Sequence, residues 1–163
     1  MNNKQKFLVD AMLGNIARKL RLFGFDCKYF ATIKDEQLLS IAKNENRTLI
    51  TRDHTITNVC KKQKISAIDL FSTDEADQVI EIYRKRNLGK CEIDMNNVRC
   101  TMCNNAIQPI EKEKIINRIP VGVAQNMQQF WICNSCDRIY WEGTHIRNLQ
   151  KFISEINEKL RSY

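Results

Sequence analysis

Over the first ninety residues, short apolar runs alternate with segments of helical period. Residues 7–9, Phe-Leu-Val, run apolar and stop at Asp10. Met12, Leu13, Ile16, Ala17, Leu20 and Phe23 then recur at helical spacing, and Gly24 stands where a helix cap is expected. A second strand is expected over 27–31. A helix follows over 35–45, with acids at its start and Leu38, Leu39, Ile41 and Ala42 on one side. The pattern continues with a strand at 47–53, a short helix at 54–63 and a strand at 65–70. It ends in a helix at 73–87, with Ala76, Val79, Ile80 and Tyr83 on one side and a basic last turn. Four strand–helix repeats predict an α/β unit, a mostly parallel sheet with helices on both faces and right-handed connections.

The character changes near Gly89. Residues 90–143 hold both prolines, both tryptophans and two Cys-x-x-Cys pairs, with little helical period. Helical spacing returns over 144–163, where Ile146, Leu149, Phe152, Ile153, Ile156 and Leu160 form one stripe. The chain therefore divides into an α/β domain, 1–90, and a second domain, 91–163, that ends in an amphipathic helix. At 163 residues it has room for one ordinary domain or a small one with an appendage.

The pairs are Cys100-Thr-Met-Cys103 and Cys133-Asn-Ser-Cys136. Each pair bends around one metal as a knuckle, and two knuckles give the four thiolates that suit Zn²⁺. With no open position left for water, such a site is structural. Fifty residues with a thin core need it. Two knuckles with a hairpin-like insert make a zinc-ribbon layout; an iron–sulfur cluster or a redox disulfide are the competing uses. Cys27, Cys60 and Cys91 read as ordinary small residues. Phe130, Trp131, Tyr140 and Trp141 flank the second knuckle. They are expected to form its mini-core against the last helix, with base stacking as the sharper reading.

Ligands of open α/β sheets bind beyond the carboxyl ends of the strands. Asp10 ends the first strand, Asp53 ends the third, and Asp35 and Glu36 open the helix after the second. Gathered together, such carboxylates require a cation, and Mg²⁺ or Mn²⁺ prefers oxygen ligands. One or two such ions orient a phosphodiester, generate a hydroxide and stabilise the leaving oxygen. Taken singly, Asp53 and Asp35 also read as helix caps. Asp69 ends the fourth strand as a further candidate ligand. Arg18, Arg21 and Arg52 are candidate phosphate contacts, and His54 and His145, the two histidines of the chain, are candidate substrate contacts.

The chain carries +7, of which residues 1–90 hold +6, with 17 Lys and Arg against 11 Asp and Glu. A basic surface favours polyanions through counterion release and also keeps a protein soluble. There is no run of about 18 apolar residues for a membrane span and no apolar leader ahead of Asp10, so a cytoplasmic location is expected. Seven cysteines, an odd number without a leader, argue against a disulfide framework.

The stretches FLVDAMLGNIARKLRLFGFD, LITRDHTI, RCTMCN and FWICNSCDRIYWEGTH together resemble the Mut-seven C-terminal RNase domain family. The resemblance runs from about residue 7 to residue 147. It implies a PIN-like nuclease domain, divalent-metal hydrolysis of RNA, expected to be endonucleolytic, and a ribbon that helps hold RNA. Residue by residue, Asp10 and Asp53 match family acids, Asp35 or Glu36 falls at the intermediate acid, and His145 matches a histidine beyond the ribbon. The alternative is a non-catalytic RNA-binding or ribosome-associated protein that kept the fold and the basic face. A redox protein built on the cysteine pairs is a second alternative.

Overall fold

Central strands of a parallel sheet lie between two helical layers and bury both faces, so their residues are apolar on both sides. The computed structural model, which describes residues 5–162, shows this in β1 (Lys6–Val9) and β3 (Thr48–Thr51). Seven of their eight residues are buried. They are flanked by β2 (Asp26–Tyr29) and β4 (Ala67–Asp69) in the order β2-β1-β3-β4, all parallel. The mixed α/β fold with helices on both faces is the one expected. Met1–Lys4 and the expected end of the last helix at Tyr163 lie outside the described residues.

Side chains of a strand alternate between its faces, and that alternation sorts the core into two halves. Phe7, Val9, Ile50 and Ile68 point to one side, where they meet Ile16, Ala17 and Leu20 of α1 (Gly14–Leu22) and Val79, Ile80 and Tyr83 of α4 (Glu75–Arg86). Leu8 and Leu49 point to the other, against Leu38 and Ala42 of α2 (Asp35–Asn44) and Ile56 and Cys60 of α3 (His54–Lys62). A short 3₁₀ turn, Ala11–Leu13, joins β1 to α1. Gly24, at φ +89°, terminates that segment in the left-handed region, as its placement in the sequence suggested. Cys27, Cys60 and Cys91 are fully buried, and burial pushes the Cys27 thiol up to about 12.

The remainder builds a second, antiparallel sheet: β5 (Gln108–Ile110), β6 (Phe130–Ile132) and β7 (Ile139–Tyr140). Pro109 sits in edge strand β5, where its missing N–H is tolerated. The insert between β5 and β6 is more helical than its sequence suggests, with two 3₁₀ turns and a six-residue helix α5 (Val121–Asn126) that begins directly after Pro120. The aromatic mini-core forms, but in two parts. Trp131 packs with Val98 and Ile107, and Phe130 with Ile115 and Ile119.

The last helix, α6 (Thr144–Arg161), was expected to cover those aromatics. Instead its buried Ile153 and Ile156 join the α1–α4 half of the first core. Asn157 fixes it there, donating to the Cys91 carbonyl at 2.8 Å and accepting from the Cys91 amide at 2.9 Å. Among the described residues, no helix is long and apolar enough to cross a membrane.

Candidate active edge and metal centre

All four strands run the same way, so their carboxyl ends share one edge of the sheet. Asp10, Asp53 and Asp69 lie there, and α2 and α4 also begin there. Asp10 is only 7% exposed. Its Oδ1 accepts from the Ala11 amide at 2.6 Å and its Oδ2 from the Thr51 hydroxyl at 2.6 Å. Among the described residues no Lys or Arg forms an ion pair with it. The Thr51 hydroxyl in turn accepts from the Asp53 amide at 3.0 Å, so one buried threonine joins the ends of β1 and β3. Asp53 Oδ1 caps α3 through the amides of Thr55 (2.7 Å) and Ile56 (3.3 Å). The cap reading of Asp53 therefore holds.

At β4, Asp69 Oδ2 lies 2.7 Å from His54 Nδ1 and accepts from the Thr57 hydroxyl at 3.2 Å, while Asp69 Oδ1 is buried with no partner among the described residues. A buried, unpaired carboxylate oxygen is a costly group that native structures seldom carry without a reason. His54 also stacks on the exposed Phe71 ring at 5.2 Å. Asp35 and Glu36 are exposed in the first turn of α2.

Beside this edge opens a cleft of about 400 Å³ whose wall includes Asn15, Arg18, Tyr29, Arg52 and Glu75. Arg18 and Arg52 are exposed. Glu75 accepts from Asn15 at 2.8 Å and from Lys19, and the Lys19 bond holds its carboxyl below the usual range. Arg21 has another place altogether. It is 4% exposed, and its guanidinium donates to the carbonyls of Cys27 (2.8 Å) and Thr101 (2.7 Å). Three residues along α1 from Arg18, it turns inward to the ribbon and presents no charge to solvent.

Oxygen donors at this edge are of the type Mg²⁺ and Mn²⁺ take. Among the described residues Asp10 is buried without an ion pair and Asp69 Oδ1 is buried without a hydrogen-bond partner, so each is a carboxylate whose charge a cation would satisfy. The carboxylates do not converge as tightly as the thiols do. Among the described residues, the four cysteines form the only group of three or more Cys, His, Asp or Glu whose ligand atoms all lie within 4.8 Å.

In that group Cys100 Sγ lies 3.4 Å from Cys136 Sγ, and Cys103 Sγ lies 3.3 Å from Cys133 Sγ. The two knuckles repeat one backbone turn. The Cys100 and Cys133 amides donate to Asn105 and Arg138 carbonyls, and Asn104 and Asp137, each four residues after the first cysteine, take φ +68° and +62°. Burial raises the Cys103 thiol, but hydrogen bonds from Asn105 outweigh it and bring the group to about 6. Tyr140 OH lies 3.0 Å from Cys100 Sγ, and burial and that contact push its hydroxyl up to about 12. Four sulfurs so placed are a donor set for Zn²⁺ in a closed tetrahedral site. His145 lies at the start of α6, exposed, beside this ribbon rather than at the carboxylate edge.

A family model described as Mut7-C RNAse domain matches residues 5–153. The span contains Asp10, Asp53, Arg18 and Arg52 of the cleft, and all four cysteines. No curated protein matches the chain.

Proposed function

The chain belongs to the Mut7-C RNAse domain family, and we propose that it is a divalent-metal-dependent ribonuclease with a PIN-like site at the carboxyl edge of its parallel sheet and a structural zinc in its ribbon. The observation that carries this reading is Asp10. It is a carboxylate buried at the strand end, oriented by Thr51 and Ala11, with no ion-pair partner among the described residues and with Arg18 and Arg52 in the adjoining cleft. Asp10 and Asp53 would hold Mg²⁺ or Mn²⁺, with Asp35 or Glu36 as the intermediate acid. Such an ion, when bound, activates water and stabilises the leaving oxygen of a phosphodiester.

The chain's own residues do the rest. Thr51 locks the Asp10 carboxylate in one orientation and ties it to the turn that carries Asp53. Arg18 and Arg52 hold phosphate oxygens. Asp69 orients His54 through Nδ1 and leaves its other ring nitrogen to face substrate. RNA is the substrate, cleavage is internal, and the protein acts in the cytoplasm.

The test is cleavage of single-stranded RNA with Mg²⁺, with Mn²⁺ and without either. Asp10→Asn and Asp53→Asn should each lose cleavage on the order of a hundredfold or more, the scale of removing one preorganised group from an active site. RNA binding should survive in both. Asn is as good an N-cap as Asp, so Asp53→Asn leaves α3 capped. Zinc-loaded protein that binds RNA but cuts none with either metal would instead be the non-catalytic RNA-binding protein of the alternative reading.

A further inference from the structure

Arg18 lines a second cleft as well as the first. This opening, of about 540 Å³, lies between α1, the first knuckle, β7 and the start of α6. Its wall carries Arg18, Arg138 and His145 and no carboxylate. Arg138 and His145 are exposed, and none of the three forms an ion pair among the described residues. Between the cations the surface is mainly apolar, with Thr101 and Thr144 as polar exceptions. Met102 is 56% exposed at the tip of the first knuckle, Leu22 lies below, and Trp141 is half-buried. One part of Trp141 packs on the Phe130 cluster and the remainder lines the opening.

A positive rim around an apolar, aromatic floor suits a ligand with negative charge outside and a flat face inside. The volume is in the range of pockets that enclose one such group. An unpaired nucleotide has this form: its base stacks on an aromatic face while its phosphates meet arginine. In a duplex the same face is covered by its neighbours.

We propose that this cleft is a second subsite for the RNA strand. It seats an unpaired base against Trp141 and Met102 while Arg18, Arg138 and His145 hold the flanking phosphates. The inference rests on the ribonuclease reading for its ligand. Arg18, shared by the two clefts, makes them neighbours on one path, so a single strand passes from the carboxylate edge to the ribbon. The ribbon then acts as a selector for single-stranded substrate in addition to its structural part.

The experiment measures binding of a fluorescein-labelled single strand of about twelve nucleotides, and of the same sequence as a blunt duplex, with Ca²⁺ in place of the catalytic metal. Met102→Asp and Arg138→Ala/His145→Ala alter exposed side chains and leave the packing alone. Each should weaken single-strand binding on the order of tenfold or more, the double variant also flattening the salt dependence. Val121→Asp, an equally exposed change elsewhere on the ribbon, should leave affinity near that of the parent. Quenching of tryptophan fluorescence by the strand, absent in Trp141→Phe, reports the stack directly. Unchanged affinity in both cleft variants, with RNA still cleaved, overturns the subsite alone. A duplex bound as tightly as the single strand overturns it too. Binding that depends on the cleft but yields no metal-dependent cleavage sinks the ribonuclease reading and leaves the subsite standing. A parent protein that neither binds nor cuts RNA sinks both.

Discussion

Thr51 is a polar residue with no exposed surface at the end of a buried strand, and it has two partners there. Replacing it with Val keeps the shape and removes the hydroxyl that Asp10 accepts from and the Asp53 amide donates to. Thr51→Val should lower cleavage about 10- to 100-fold, the usual cost of losing the group that orients a metal ligand. Stability should fall by only about 1–3 kcal/mol; a rate assay with a denaturant curve reads both. Asp26 gives a pH prediction. Burial raises its carboxyl, but hydrogen bonds from Arg47 (2.8 Å) and Asn104 (2.8 Å) prevail and hold it below the ordinary carboxylate value. A depressed folded value contributes stability that is complete above the unfolded value, about 4, and drains away as pH falls through the folded one. Denaturant midpoints of the parent should therefore drop towards those of Asp26→Asn in acid; curves that stay parallel would deny the carboxylate this role. The place of Asp10 at the end of β1 was legible in the sequence, because the apolar run Phe-Leu-Val stops directly before it. The role of Arg21 was not. Spacing on α1 set it off the apolar stripe, but its partners include a carbonyl 80 residues away that no local pattern announces.

At the scale of elements, α1 opens on Gly14, where alanine has the better helix propensity by about 1 kcal/mol. A Cβ built at Gly14 would stand 2.9 Å from the Tyr29 hydroxyl, which donates to the Ala11 carbonyl at 3.0 Å. Gly14→Ala should thus destabilise rather than stabilise, by about 1 kcal/mol or more. Gly14→Ala/Tyr29→Phe should regain part of the loss in thermal melts, because the clashing oxygen is gone. The strands and four helices of the first ninety residues were legible because period and caps agree. Asp53 and Asp74 sit one residue before α3 and α4 and cap both. α5 was not legible. Val-Gly-Val-Ala-Gln-Asn has no helical stripe, and none of its residues is fully buried; its Val123 and Ala124 pack on the Phe130 cluster, a contact no local pattern announces. The destination of α6 was hidden for a different reason. Its stripe says that one side is covered and is silent about what covers it.

For the whole molecule, the two sheets meet through side chains of the first knuckle. Asn104 Oδ1 accepts from the Cys27 amide at 2.9 Å, its Nδ2 donates to Asp26, and Arg21 bridges Cys27 and Thr101. Zinc removal should act first on this junction. Chelation at neutral pH should release one zinc per chain and dissolve the near-UV signal of Trp131, while most far-UV helix signal persists, since the α1–α4 and α2–α3 cores contain none of the four cysteines. Complete loss of helix on chelation would show instead that the two units fold as one.

That junction has a further consequence. β2 is an edge strand, and in a parallel pair both backbone groups of a residue face the same side, so the N–H and C=O of Cys27 look outward along a rim on which another chain can template a strand. Asn104 of the ribbon covers the N–H, and Arg21 of α1, which also donates to the ribbon's Thr101 carbonyl, covers the C=O. The ribbon is thereby a stopper on the open margin of the parallel sheet, and metal starvation uncovers an adhesive border. Light scattering of chelated protein should rise with concentration even where its helices remain intact.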